Sequence, residues 1–106
     1  MEFSHLDVSG DGPVGRLTLN RPDRLNTLAS EVLSELIEAA AWFDTRPEVR
    51  AVVVSGAGRV FSAGADLEVF RNPPDDVHAA ADLGRLMAEA VGGMSAITVA
   101  AIQAPM

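Results

Sequence analysis

The sequence contains no cysteine and no lysine, and these two absences narrow its chemistry. Without cysteine, the chain can form no disulfide framework and offers no thiolate nucleophile. All eight cationic residues are arginine, so a contact with a phosphate group must come from an arginine side chain or from backbone N–H groups. A phosphate loop of the Walker type is excluded for the same reason, because that loop needs a Gly-Lys pair.

Positive charge is also scarce overall, and the formal net charge is −7 at pH 7. This balance disfavours nucleic acids and anionic membrane surfaces as partners. No apolar run approaches the roughly 20 residues of a membrane-spanning helix. The acidic N-terminal segment does not have the pattern of a signal peptide. We therefore expect a cytoplasmic protein that binds neither nucleic acid nor membrane.

The residues that are present indicate a single globular domain of 106 residues, with 48% hydrophobic content. Hydrophobic periodicity predicts a β-hairpin, two helices and two further strands. The hairpin strands are predicted at 3–10 and 14–20, the helices at 29–44 and 77–91, and the later strands at 49–55 and 96–102. Helical connections between the later strands indicate an α/β fold with a largely parallel sheet.

Three details of these elements can be checked in the structure. Thr27 or Ser30 is suited to cap the start of the first helix. The β-branched strands 49–55 and 96–102 have the composition of strands buried on both faces of a parallel sheet. The exposed face of the first helix is predicted to carry Glu31, Glu35 and Glu38.

The stretch "GAGRVFSAGADL" (56–67) follows a predicted strand and is rich in small residues. It is not a dinucleotide-binding fingerprint, because Phe61 stands where the third glycine would be. One interpretation is a turn in which Gly56 and Gly58 allow close backbone packing. The other is that "SAGADL" presents consecutive N–H groups at a helix start capped by Asp66, where they would stabilise an anion or an oxyanion. The residues alone leave both interpretations open.

Three blocks of the sequence resemble the enoyl-CoA hydratase/isomerase, or crotonase, family. They are "LTLNRPDRLNTL" (17–28), "VRAVVVSGAGRVFSAGADL" (49–67) and "ITVAAIQ" (97–103), in the family's order and spacing. The resemblance implies a crotonase-like spiral of β-β-α units, of which residues 1–106 would form the N-terminal portion, truncated after the strand at 96–102. It also implies assembly as a homotrimer or a dimer of trimers.

The resemblance further implies an acyl-CoA thioester as substrate, with no cofactor besides the coenzyme A that the substrate carries, and no metal. Members of the family stabilise an enolate with two backbone N–H groups, and Ala65 matches the first donor. Ala63 matches the residue whose carbonyl faces the CoA adenine. The remaining matched positions of the acyl-CoA site are Arg24, Leu25, Asp66, Leu67 and Glu68.

Several of these positions also have a purely structural interpretation. Leu25 could anchor a loop or the core, Arg24 could be a solvated surface charge, and Asp66 could serve only as a helix cap. Capping and ligand contact are compatible for Asp66. Its side chain can cap the helix while the neighbouring residues face the ligand.

The sequence departs from the family at its end, "QAPM" (103–106), where Ala104 stands in place of the usual glycine. The second oxyanion donor and both catalytic carboxylates of hydratases are therefore expected outside this chain. We predict an enoyl-CoA hydratase-type protein of fatty acid metabolism that is inactive on its own and needs an oligomer or a companion chain. The alternatives are a non-catalytic acyl-CoA-binding or assembly module, and an inactive fragment of a crotonase-fold isomerase or hydrolase.

Overall fold

The computed structural model describes residues 3–10, 12–62 and 77–102, apart from the side chains of residues 77–81. The strands are β1 (Leu6–Ser9), β2 (Val14–Leu19), β3 (Ala51–Gly56) and β4 (Ile97–Ala100), and the helices are α1 (Ser30–Asp44) and α2 (Val77–Gly92). The strands form one sheet in the order β1-β2-β3-β4. β1 and β2 are antiparallel, whereas β2, β3 and β4 are parallel. The predicted α/β fold, its hairpin and its parallel sheet are confirmed.

The core lies between one face of the sheet and the two helices. Leu17 and Leu19 are buried on the same face of β2 and alternate with less buried neighbours. Val52, in β3, has no exposed surface. Helix α1 covers these strands with a stripe of buried residues, namely Val32, Leu36, Ala39, Ala40 and Phe43. Within the described ranges, neither helix is long and apolar enough to cross a membrane.

Helix α1 begins without a side-chain cap. Ala29 occupies the N-cap position with extended backbone, and its carbonyl accepts a hydrogen bond from the N–H of Leu33 at 3.0 Å. The prediction that Thr27 or Ser30 would cap the helix is therefore wrong. Ser30 already lies inside the first turn, and the N–H of Thr27 bonds to the carbonyl of Arg24 in the preceding loop. Contacts of that loop set the start of the helix.

Strand β4 is exposed, which corrects the prediction of a strand buried on both faces. Side chains alternate between the faces of a sheet, and Ile97 and Val99 pair with Ala51 and Val53 on the face away from the helices. Ile97 is 70% exposed and Val99 is 50% exposed. β3 is likewise only half-buried apart from Val52. All four residues of β4 are exposed, Thr98 and Ala100 on the helical side as well as Ile97 and Val99, because β4 is the edge strand of the described sheet.

The glutamate face of α1 is not uniformly solvated, contrary to prediction. Glu31 and Glu38 are exposed, but Glu35 accepts a hydrogen bond from the backbone N–H of His5 at 3.0 Å. Its side chain is only 14% exposed. The segment before β1 lies across this part of the helix, and a periodicity argument within one helix cannot detect such a distant neighbour.

Candidate functional site

Two loops meet at the carboxyl ends of the neighbouring parallel strands β2 and β3. The first loop, residues 20–28, follows Leu19 at the end of β2, and the second, residues 57–62, follows Gly56 at the end of β3. The N–H of Ala57 donates to the carbonyl of Leu19 at 2.8 Å and extends the strand pairing into the loops. We call the place where these loops touch the loop junction. Crevices outside the carboxyl ends of parallel strands are the usual ligand sites of open α/β sheets.

The first loop turns tightly and presents Arg24 and Leu25 to solvent. Residues Pro22–Arg24 form a short 3-10 helix, which ends where Leu25 adopts the left-handed conformation with φ 54°. Arg24 is exposed, and Leu25 is 38% exposed. The interpretation of Leu25 as a core anchor is therefore wrong. The exposure of Arg24 suits both a solvated charge and a residue that contacts an anionic ligand.

Asn26 joins the two loops and was not identified from the sequence. Only 2% of its surface is exposed. Its side-chain oxygen accepts a hydrogen bond from the N–H of Arg21 at 2.7 Å, within the first loop. Its side-chain nitrogen donates to the carbonyls of Ala57 at 2.8 Å and Val60 at 3.0 Å, in the second loop. The one available signal was that asparagine tolerates the left-handed conformation better than most residues.

The second loop packs directly on the first. The hydroxyl of Ser62 donates to the carbonyl of Asn26 at 2.7 Å. Gly58 has φ 85°, and a Cβ atom built on it would lie 2.8 Å from Cβ of Pro22. A Cβ on Gly56 would collide with the backbone of Phe61. The close-packing interpretation of Gly56 and Gly58 is therefore confirmed, since each of them leaves space for another segment of the chain.

Five of the predicted site residues lie outside the described residues: Ala63, Ala65, Asp66, Leu67 and Glu68. Ser62 is the last described residue before them, and it belongs to the loop junction. The structure therefore brings Arg24 and Leu25 to the loop from which the "SAGADL" stretch continues.

An apolar cavity of about 190 Å³ lies between the sheet, α1 and α2. Phe61 and Ser62 of the loop junction contribute to its lining. On the helical side it is lined by Met87 and Val91 of α2 and by Met94 just beyond that helix. Met87 and Met94 are partly buried against the core, yet they leave this space between them and the sheet. The cavity has room for an apolar chain and reaches the loop junction.

Histidine and acidic side chains do not gather into a metal site in the part of the chain that the structure describes, where no group of three or more comes together. Glu35 contacts His5 near the start of β1, and Asp44 accepts a hydrogen bond from the N–H of Ser95 at 3.0 Å. The loop junction therefore offers backbone groups, an arginine and apolar surface. Such a set can bind and orient an anionic ligand with an apolar tail.

Comparison with known proteins connects this geometry to a family. The enoyl-CoA hydratase/isomerase family model matches residues 10–104. A protein of Mycobacterium bovis named "Probable enoyl-CoA hydratase" is 40% identical over 68 residues, which are 64% of this chain and 26% of that relative. The chain therefore spans well under half the length of such relatives.

Solved structures give the same result for the fold. The enoyl-CoA hydratase of Bacillus anthracis superposes with a TM-score of 0.86 at 28% identity, covering 94% of this chain and 40% of that one. An enoyl-CoA hydratase/isomerase of Mycobacterium paratuberculosis superposes with a TM-score of 0.81 at 32% identity, covering 96% and 42%. The likeness to crotonase-fold structures predicted from the sequence is thereby confirmed. By these matches, the chain belongs to the enoyl-CoA hydratase/isomerase family.

Proposed function

We propose that this chain binds acyl-CoA thioesters and supplies one of the two backbone donors that stabilise the enolate in a hydratase-type reaction. In that reaction, water adds across the 2,3 double bond of an enoyl thioester. One observation carries the proposal: the loop that exposes Arg24 and Leu25 is hydrogen-bonded to the loop that leads into residues 63–68. The loop that carries Arg24 and Leu25 is therefore held against the residues that directly precede 63–68 in the chain.

The proposed binding contacts follow from side-chain chemistry. The Arg24 guanidinium pairs with a CoA phosphate, and no lysine in the chain could replace it. Leu25 packs on the pantetheine arm. Ala63 offers its carbonyl to the adenine. The remaining contacts of the acyl-CoA site come from Asp66, Leu67 and Glu68.

The proposed role of Ala65 is to donate its backbone N–H to the thioester oxygen as negative charge develops there. A single donor of this kind contributes about 2.7–4 kcal/mol to transition-state stabilisation. Two such donors and an acid–base group act together in the family, and we assign only the first donor to this chain. We therefore expect the isolated chain to bind thioesters without hydrating them at a measurable rate.

The apolar cavity is the proposed site for the acyl tail. It reaches the loop junction through Phe61 and Ser62, and its lining is otherwise dominated by aliphatic side chains and methionines. Each methylene group that leaves water contributes about 0.8 kcal/mol to binding. An acyl chain longer than two carbons should therefore raise the affinity above that of CoA itself.

The direct test is calorimetric titration of the purified chain with CoA, crotonyl-CoA and octanoyl-CoA, with an assay for hydration of crotonyl-CoA run in parallel. Arg24→Ala should weaken CoA binding about tenfold or more, because a charged hydrogen bond contributes about 1.5–3 kcal/mol. Arg50→Ala is the matched control. Arg50 is also exposed, but it precedes β3 at the opposite end of the sheet.

Each outcome has a distinct meaning. Binding that depends on Arg24 but not on Arg50 supports the proposal, and binding without hydration agrees both with the expected inactivity of the isolated chain and with a non-catalytic acyl-CoA-binding module. Rapid hydration by this chain alone would contradict its expected inactivity. Failure to bind any of the three ligands would overturn the proposed function. Native mass spectrometry of the same sample tests the proposed assembly, a homotrimer, a dimer of trimers or a complex with a companion chain.

A further inference from the structure

Asn26 makes more specific contacts than a loop residue needs for local folding. Its side-chain amide uses one acceptor on Arg21 and both donors on Ala57 and Val60. Its backbone carbonyl accepts the hydroxyl of Ser62. Along the sequence, Arg21 lies 5 residues before Asn26, and the partners in the second loop lie 31 to 36 residues after it. A turn within the first loop would require only the hydrogen bond to Arg21.

We infer that Asn26 is a positioning residue that fixes the distance between the CoA-binding loop and the start of the oxyanion turn. The inference rests on the proposed function. Asn26 follows Arg24 and Leu25 directly, and its partner Ser62 directly precedes Ala63. Asn26 therefore transmits a shift of the first loop to the second. In this way it keeps the two segments proposed to contact the thioester at a fixed distance from each other.

The backbone conformation and the hydrogen-bond partners at position 26 both favour asparagine. Its backbone has φ 53°, a left-handed conformation that asparagine and aspartate adopt more readily than other side chains. An amide also supplies an acceptor and two donors from one short side chain. Aspartate has the same shape but offers only acceptors when ionised, and would direct an oxygen at the carbonyls of Ala57 and Val60.

Close packing supports the same coupling independently of Asn26. Gly58 leaves no room for a side chain against Pro22, and the N–H of Ala57 is bonded to the carbonyl of Leu19. The loops therefore also touch at Pro22 and Leu19, through contacts that do not involve the asparagine. Because the space between them is already filled, one loop cannot slide without displacing the other.

The test compares Asn26→Asp and Asn26→Gly with a core truncation, Val32→Ala, in the full chain. Glycine tolerates the positive φ but removes every side-chain hydrogen bond, so it remains informative if the aspartate variant folds poorly. Val32 is buried in α1 and does not line the cavity, so its truncation lowers stability without touching the loops. The measurements are the CoA dissociation constant, the unfolding midpoint and amide hydrogen exchange by NMR.

We expect both Asn26 variants to raise the CoA dissociation constant about tenfold to a hundredfold, because buried carbonyls lose their donors and the loops separate. Amides of residues 57–62 should exchange at least about tenfold faster. In Asn26→Asp the Arg21 amide should stay protected, because its acceptor remains, whereas Asn26→Gly should expose it. Val32→Ala should lower the unfolding midpoint without changing the CoA affinity of the folded chain.

A second comparison isolates one contact of the junction. Ser62→Ala removes the hydroxyl that bonds to Asn26, and Ser55→Ala removes a hydroxyl of β3 that bonds to Thr18 at 3.3 Å. Only Ser62→Ala should weaken CoA binding, and Ser62→Thr should restore it in part. Unchanged exchange in residues 57–62 of the Asn26 variants, or equal loss of affinity in Val32→Ala, would overturn the inference. A wild-type chain that fails to bind CoA counts against the proposed function, and the exchange measurement still decides the coupling of the loops.

Discussion

Glu35 shows how one side chain on a polar helix face acquires a structural role. It lies between the exposed residues Glu31 and Glu38, yet its carboxylate is hydrogen-bonded to the backbone of His5. The imidazole of His5 also lies 3.8 Å from the second carboxylate oxygen. The contact joins the segment before β1 to α1. A buried N–H that loses its acceptor destabilises the fold more than a surface charge that is simply removed.

We predict that Glu35→Ala lowers the free energy of unfolding by about 1–3 kcal/mol, because it leaves the His5 N–H without its acceptor. Glu38→Ala is the matched control and should change stability by less than about 0.5 kcal/mol, as expected for an exposed side chain. Urea unfolding of the two variants measures both effects. Equal stabilities for the two variants would show that the Glu35 contact contributes nothing.

At the scale of elements, α2 and Met94, two residues beyond its end, close the apolar cavity over the sheet. Val91 faces the cavity, whereas Leu86 on the same helix is 46% exposed. An unfilled apolar space lowers stability, because the atoms around it lack packing partners on one side. The chain keeps this space next to the loop junction, which is a reason to connect it with ligand binding.

Val91→Phe should therefore stabilise the protein and weaken its binding of long acyl chains. Filling a cavity commonly adds about 0.5–2 kcal/mol to stability. Excluding two methylene groups of the tail should lower octanoyl-CoA affinity about tenfold relative to CoA. Leu86→Phe, on the exposed side of α2, should change neither quantity. Thermal unfolding and calorimetric titration give the two readouts, and a stabilised variant with an unchanged preference for octanoyl-CoA would refute the role of the cavity.

At the scale of the whole molecule, the sheet has one covered face and one open face. The helices lie over Leu17, Leu19 and Val52, whereas Ile97 and Val99 project from the opposite side. Ile97 is 70% exposed and Val99 is 50% exposed. Exposed aliphatic side chains that lie side by side usually mark a surface that other polypeptide covers. We expect this open face to drive self-association of the isolated chain.

Ile97→Lys should weaken that association about tenfold or more, because burial of an isoleucine side chain contributes about 1.5–3 kcal/mol. Leu86→Lys changes another exposed aliphatic residue, on α2, and should leave association unaltered. Sedimentation equilibrium of the variants measures the effect. A wild-type chain that stays monomeric at high concentration would contradict the expectation.

The elements were predictable from the sequence because their periodicity is local. The helices predicted at 29–44 and 77–91 are found at Ser30–Asp44 and Val77–Gly92, and the strand predicted at 49–55 is found at Ala51–Gly56. The alternation along β2 puts Leu17 and Leu19 on one face of the strand, and both are buried. Side-chain direction follows directly from backbone geometry, so a pattern of spacing is enough.

The candidate site was predictable only in part. Motif resemblance located the two loops, and Arg24 is exposed as a ligand-binding residue must be. The same reasoning missed Asn26, whose partners lie 31 and 34 positions away along the chain. It left open whether Leu25 is a core anchor, and the exposed side chain rules that alternative out, because the burial of an aliphatic residue in a loop depends on the direction of the turn. The predicted roles of Ala63, Ala65, Asp66, Leu67 and Glu68 stay predictions.

The sequence by itself determined the α/β class, the order of the elements, the family and the general position of the loops that we propose as the ligand site. Each of these depends on local spacing or on a contiguous motif. The tertiary structure decided that Asn26 bridges two loops, that Glu35 accepts a hydrogen bond from His5 and that β4 is exposed along its length. Those properties depend on which distant segments meet, and hydrophobic patterning specifies that a surface should be buried without specifying what covers it.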